Sequence, residues 1–328
     1  MATTKKKGKA GGSRKPARKT AKKTVNKPGR GQKIALLTAA VIAAALAIVL
    51  LIGAMNASRV EVRRAEVRLK DLPAAFDGRT LLYASDIDLC GLNTAAKSAD
   101  LFRRLQSLKP DALVLGGDYN SPSLLDVLNQ AGGSEIGRGA LTARDDFFRA
   151  LSGFKAPLGK FAICTPDDPE LKDLKRSMEA AGITPLFDTS AAMKANGESV
   201  YLAGLTGEPA PIAEAARAAK RDDCVIAVAA SPTQVTQIMI NEVEGGGPWC
   251  DLILTGHTHG GQIRLFGVNL LSLNGVERNY LKGWNLENEI PILTTTGVGC
   301  EGVNIRLGSR PEVWLITLRA GEGLPDLR

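Results

Sequence analysis

"CDLILTGHTHGGQIRLFG", residues 250–267, decides how this 328-residue chain is read. A short apolar run, Leu252 to Leu254, is followed by a glycine, two histidines two positions apart and a glycine pair. Apolar runs of four to eight residues bounded by turn residues are buried strands. Polar side chains just beyond the end of such a strand stand where open α/β sheets present their ligands. His257 and His259 are the only histidines in the chain. Whatever chemistry needs imidazole has these two and no others.

The same plan recurs upstream. "GRTLLYASDID" (78–88), "ALVLGGD" (112–118), "GKFAICTPDD" (159–168), "SVYLAGL" (199–205) and "CVIAVAAS" (224–231) are apolar runs, and three of them end in acids. Helical patterns lie between them. "SADLFRRLQSLKPD" (98–111) places Leu101, Phe102, Leu105 and Leu108 on one face. "LKDLKRSMEAAG" (171–182) stops at Gly182, and "PIAEAARAAKRDD" (211–223) and "PTQVTQIMINEVEGGG" (232–247) follow. Strands alternating with helices predict an α/β architecture. "IPILTTTGVGCEG" (290–302) and "EVWLITLRA" (312–320) add strands with no helix between them, which predicts a mixed sheet or two packed sheets.

The first 33 residues are of a different kind. They hold thirteen Lys and Arg and no acid, so the net charge of +8 leaves −5 on the rest of the chain. A segment of Lys, Gly, Pro, Ala and Thr has too little to bury, and a disordered, solvated tail is expected. It suits contact with anionic lipid headgroups. No aromatic residue interleaves the charges to stack on bases, so nucleic acid is not expected as a partner. Residues 34–55, "IALLTAAVIAAALAIVLLIGAM", are 22 uncharged residues, long enough to span a bilayer. A cleaved signal peptide has a shorter core and a far shorter basic lead, and an Ala-rich helix packed on a soluble core would show a polar face to water. The charge asymmetry predicts a single-pass protein of the cell membrane with 1–33 cytoplasmic and the rest extracytoplasmic. Five cysteines, at 90, 164, 224, 250 and 300, form no CxxC pair and predict neither a disulfide framework nor a zinc knuckle.

The residues at the strand ends are Asp86 and Asp88, Asp118, Asp167 and Asp168, Ala230, and His257 and His259. Carboxylates and imidazoles converging from several strand ends suit divalent metals, and such sites hydrolyse phosphoesters. The ordered set "SDID", "GGD", "CTPDD", "AASP", "GHTHGGQIRLFG", with the closing "GVGCEGVNIRLGSRPEVWLITL", resembles the calcineurin-like metallophosphoesterase superfamily in its membrane-anchored bacterial branch. The likeness covers about residues 59–320. It implies a four-layer α-β-β-α sandwich and a site that binds Mn, Fe or Zn and cleaves phosphomonoesters or phosphodiesters. Specificity in that family lies in loops such as 119–145.

Carried over position by position, the resemblance is incomplete. The family's Asp-x-His reads Asp86-Ile87-Asp88. Its Gly-Asp is kept as Gly117-Asp118, and its Gly-His-x-His as Gly256-His257-Thr258-His259. Its Gly-Asn-His-Asp reads Thr165-Pro166-Asp167-Asp168, and the lone histidine of its fourth motif is Ala230. The resemblance therefore implies one metal seen by Asp86, Asp88, Asp118 and His259, and a second left with Asp118 and His257. At most one ion is expected, with Asp167 and Asp168 as the carboxylates in the catalytic positions. Three readings stay open: an active phosphoesterase that uses one metal and a substituted acid, on a phosphorylated small molecule or lipid; a pseudoenzyme that binds a phospho-ligand or a protein at the membrane; and polar residues left over at strand ends. Between the first two, impaired or lost two-metal hydrolysis is expected.

Overall fold

The computed structural model describes residues 1–3, 29–121, 138–165, 168, 170–207, 209–265, 268–269, 278–323 and 325–327. Most of the basic tail, Pro166, Asp167 and residues 122–137 of the loop 119–145 lie outside them. The chain divides into two units, Met1–Ala47 and Ile48–Arg328. The first carries most of helix α1 (Arg30–Ala57). Its Ile34, Leu36, Leu37, Val41 and Ile42 are exposed, and no face of the run is polar. A helix apolar all round is buried in protein or lipid, and this one is long and apolar enough to cross a membrane.

The second unit holds two sheets. The larger has seven strands: β1 (Glu61–Leu69), β2 (Thr80–Ala84), β3 (Ala112–Leu115), β4 (Gly159–Ala162), β5 (Thr184–Pro185), β14 (Glu312–Ala320) and β15 (Asp326–Leu327), in the order β15-β1-β14-β2-β3-β4-β5. From β2 to β5 it is parallel, and β14 runs antiparallel to β2. The smaller has β6 (Ser190–Ala195), β7 (Glu198–Leu205), β8 (Val225–Ala229), β9 (Leu252–Thr255), β12 (Gly283–Glu287) and β13 (Ile290–Thr294), in the order β12-β13-β9-β8-β7-β6. There β7, β8, β9 and β13 are parallel, and both edge strands are antiparallel. A two-stranded hairpin, β10 (Arg264–Leu265) and β11 (Val268–Asn269), stands apart.

Alternation along the strands sorts the core into layers. Tyr83, Val114 and Ile163 of the larger sheet meet Leu202, Val228, Leu254 and Leu293 of the smaller in one cluster between the sheets. The opposite face of the larger sheet, through Leu82, Leu113 and Leu115, packs against helices α2 (Ala95–Leu105), α3 (Arg138–Leu151) and α4 (Leu171–Ala180). The opposite face of the smaller, through Ala227, Ile253 and Ile292, packs against α5 (Pro209–Ala218) and α6 (Val235–Ile240). This is the four-layer α-β-β-α sandwich. Phe102 and Phe147 meet edge to face at 5.5 Å in the first helical layer, and each such buried ring contributes about 1.5–3 kcal/mol by its area.

Helix α2 begins at Thr94, whose side chain accepts from the Lys97 backbone N–H, and it buries the expected Leu101, Phe102 and Leu105. The pattern over 232–247 gives much less helix than its length predicts. Only 235–240 are α-helical, because Asn241 is extended and a turn at Gly245, Gly246 and Gly247, all with positive φ, follows. Strand β1 is a further addition. Its Ala65, Val67 and Leu69 face the core, while arginines and glutamates alternate outward. None of the five cysteines is joined in a disulfide, and Cys164, Cys224, Cys250 and Cys300 are buried.

Candidate active site

The carboxyl ends of the parallel strands in both sheets open onto one rim. Past β2 and β3 the chain continues as a side-by-side pair. The N–H of Asp86 donates to Gly117 O at 3.1 Å, that of Asp88 to Asp118 O at 2.9 Å, and that of Leu89 to Tyr119 O at 2.8 Å. This sets Asp86, Asp88 and Asp118 beside one another. From the second sheet, the loop after β9 brings His257, whose backbone N–H donates to Asp86 Oδ1 at 2.6 Å and whose Nδ1 lies 3.1 Å from Asp118 Oδ2. His259 Nε2 is 3.6 Å from Asp88 Oδ2. The approach depends on glycine at 297, where a Cβ would stand 2.5 Å from that of Asp86.

Asp86, Asp88, Asp118, His257 and His259 all adopt left-handed backbone, with φ between 45° and 69°. Only twelve non-glycine residues among those described do so. Each such residue costs on the order of 1–3 kcal/mol and persists only where its surroundings impose it. Five of them converging on one rim points to a site and away from the reading in which they are leftovers.

The electrostatics of the rim are uneven. Burial, then the charge of Asp118, raises the Asp86 carboxyl to about 7. Burial, then Asp86 and Asp118, raises Asp88. For Asp118 burial is opposed and outweighed by the hydrogen bond and charge of His257 and by the Thr165 hydroxyl, and its carboxyl is lowered. Thr165 Oγ1 donates to Asp118 Oδ1. Asp86 Oδ2 and Asp88 Oδ2 are buried with no hydrogen-bond partner. Unpartnered buried carboxylate oxygens require a cation or a proton, so these two, with Asp118, are the oxygens that could hold a metal. Among the described residues no three His, Cys, Asp or Glu side chains converge closely enough to hold an ion as they stand.

Behind His259 sits Arg306, a fully buried guanidinium. Nε donates to Gly299 O at 3.1 Å, Nη1 to Thr296 O at 2.7 Å and to His259 O at 3.0 Å, and Nη2 to Gly299 O at 2.5 Å and to His259 Nδ1 at 3.1 Å. No carboxylate of a described residue forms an ion pair with it. Its charge lowers Asp88 against the pull of burial. With burial, it also holds the His259 imidazole down to about 3, and therefore neutral. Sequence reasoning missed this residue. The available signal was an arginine between Ile305 and Leu307 in a glycine-bounded loop.

On the other side of the rim the expected residues are arranged differently. Asp168 is buried, but Oδ1 accepts from Tyr119 N at 2.8 Å and Oδ2 from Thr165 N at 2.8 Å. It braces the loop after β4 against the loop after β3. Burial, then Asp118, raises its carboxyl to about 7 against the two N–H donors. Ala230 is buried in the cluster between the sheets. Asp167 lies outside the described residues.

A four-layer α/β sandwich with acids and a Gly-His-x-His at its strand ends is the architecture of a metal-dependent phosphoesterase. The chain is 31% identical over 257 residues to the phosphodiesterase YaeI of Escherichia coli, covering 76% of this chain and 84% of that protein. It is 25% identical over 270 residues to the uncharacterised metallophosphoesterase YkoQ of Bacillus subtilis, covering 79% and 90%. It is 24% identical over 291 residues to a transmembrane protein with a metallophosphoesterase domain of Danio rerio, covering 83% and 61%. An archaeal phosphodiesterase of known structure aligns over 66% of this chain and 84% of its own, with a TM-score of 0.33 and 10% identity. No protein-family model matches the chain. The chain belongs to the calcineurin-like metallophosphoesterase superfamily.

Proposed function

We propose that this protein is a membrane-anchored member of that superfamily in which two-metal hydrolysis is impaired or lost. The observation that carries the reading is the contrast across the rim. Asp86 Oδ2 and Asp88 Oδ2 are buried without partners, while Asp168 is taken up by backbone N–H groups and Ala230 offers no donor atom.

On this reading one divalent ion at most is held, by Asp86, Asp88 and Asp118, with His259 beside them. Bound there, the ion would supply positive charge to phosphoryl oxygens and acidify a water. Asp118 fixes the His257 ring through Nδ1, and the ring, with 42% of its side chain exposed, is placed for a phosphoryl oxygen arriving from solvent. Asp88 and His259 are buried and shape the floor beneath it. Protonation of a leaving oxygen needs an acid near its operating pH. Asp168 has the right range but donates to nothing at the rim, since both its oxygens accept. Asp167 remains the proposed catalytic carboxylate on the loop after β4.

Helix α1 is proposed to span the cell membrane, with the basic tail cytoplasmic against anionic headgroups and the domain extracytoplasmic. The substrate or ligand is then a phosphorylated small molecule or lipid on the outer side. A C-terminal reporter active only in the cytoplasm would reverse that orientation. For activity, the full chain in detergent is assayed on a chromogenic nitrophenyl phosphodiester with Mn²⁺, Zn²⁺ or Mg²⁺. Rates at the protein-free background are expected. Saturable, metal-dependent turnover would overturn the impaired reading. Under the alternative, a pseudoenzyme that binds, inorganic phosphate protects the chain from thermal unfolding without any turnover.

A further inference from the structure

The last residues of α1 belong to the same unit as the sandwich, and they touch the loop that carries Arg306. The backbone N–H of Arg306 donates to Gly53 O at 3.0 Å. Asn56 Nδ2 donates to Arg306 O at 3.3 Å. Gly53 and Asn56 are three residues apart and share one face of the helix. Ile305 Cγ2 occupies the space that a side chain at 53 would need, with Leu307 next to it. Both backbone polar groups of residue 306 are thus fixed by the helix end, and only glycine at 53 permits the approach.

The side chain of the same residue is fixed by the site. A guanidinium has five N–H donors and no acceptor, and here all five have acceptors: Gly299 O twice, Thr296 O, His259 O and His259 Nδ1. The Gly299 segment is in turn tied to the first motif, because the N–H of Gly299 donates to Asp86 O at 2.7 Å. Ser309 Oγ adds a bond to His259 O at 2.7 Å. Because the partner of Nδ1 can only donate, Nδ1 must present its lone pair. The ring proton of a neutral imidazole then sits on the other nitrogen, and Nε2 is the atom that faces Asp88.

We propose that Arg306 is a positioning residue that holds His259 as its Nε2–H tautomer, and that the end of the apolar helix holds Arg306 in place. His259 then meets the rim as an N–H donor. It becomes a ligand through Nε2 only if Arg306 withdraws from Nδ1. The helix that anchors the protein and the state of one of its two imidazoles are mechanically one arrangement. The proposal concerns the metal-free chain and holds whether or not the site is catalytic.

The test uses the fact that the chain has two histidines. The full chain is prepared metal-free in detergent with ¹⁵N-labelled histidine, and long-range ¹H–¹⁵N spectra record both rings, with His257→Gln used for assignment. The expected spectrum gives His259 a non-protonated Nδ1 and a protonated Nε2. Arg306→Met should collapse that distinction toward the average of two tautomers. Gly53→Val, which keeps the arginine itself but crowds Ile305 beside it, should shift the His259 nitrogens in the same sense and leave those of His257 unchanged. Asn56→Ala should do so by less. Gly31→Val, at the open end of the helix where nothing lies within 4 Å, should change neither ring. A protonated Nδ1 on His259 in the unmodified chain overturns the proposal. So does a folded Gly53→Val variant with unchanged His259 signals, or one in which both histidines shift equally.

Discussion

The two sides of the rim look equivalent in the sequence and differ in the folded chain. On one side, the loops after β2 and β3 bring three carboxylates together, and two oxygens of that group have nothing to bond to. On the other, the loop after β4 brings Asp168, just as buried, with both oxygens accepting backbone N–H groups. The same residue type at neighbouring strand ends is an unfilled acceptor in one place and a structural brace in the other. Burial alone does not distinguish a ligand from a brace. The state of each oxygen does.

The largest effect should come from changing the closed side. Restoring the family residues together, Asp88→His, Pro166→Asn, Asp167→His and Ala230→His, should raise phosphodiester turnover by on the order of 10²-fold or more, the range of acid–base assistance. The single reversions should do little, because groups acting as one unit are strongly non-additive. A single reversion that reaches the rate of the quadruple variant would break the comparison. Since Ala230 lies in the cluster between the sheets, a far-UV and thermal check that the quadruple variant is folded belongs to that experiment.

Asp168→Ala should be the next largest. It leaves the buried N–H groups of Tyr119 and Thr165 without acceptors, at about 1–3 kcal/mol each, so denaturant unfolding should show a loss of about 2–6 kcal/mol. Asp88→Asn should act in the opposite direction. It replaces a buried carboxyl whose Oδ2 makes no hydrogen bond, and in chelator it should stabilise the protein by roughly 1 kcal/mol. If both substitutions destabilise equally, the two sides are not different in kind.

A further effect is in pH. The Asp168 carboxyl is raised in the folded chain to about 7 from an ordinary value of 3.8. The folded state therefore binds its proton more tightly than the unfolded state does. Stability from this group is fully present below the unfolded value and is lost as pH rises toward 7. Thermal melts in chelator should show the midpoint falling from pH 5 to pH 8, with Asp86, raised to about 7, acting in the same sense.

The sequence displayed some of this and hid the rest for physical reasons. Apolar runs ending in acids mark strand ends, so Asp86, Asp118 and His257 were legible, as was the layering that alternating strands and helices require. Strand β1 hid because its outward face carries Arg64, Glu66 and Arg68 and its first residues are exposed on both faces, although the alternation of Ala65, Val67 and Leu69 was there to read. The fate of Asp168 depends on how one loop turns against another, which no spacing reports. Arg306 looks like a surface residue in one dimension. It becomes a buried cation only when four acceptor atoms from two segments close around it. The left-handed backbone of the five rim residues is imposed by tertiary packing; Asp and His adopt it more readily than most side chains, but no spacing reports it.

The most direct test of the account is the metal content of the purified full chain. After loading with excess Mn²⁺ or Zn²⁺ and removal of free ion, elemental analysis should return no more than one ion per chain. That ion should be lost in Asp118→Ala and kept in Asp168→Asn. Two tightly held ions per chain would contradict the account, because the side of the rim described as closed would then be open.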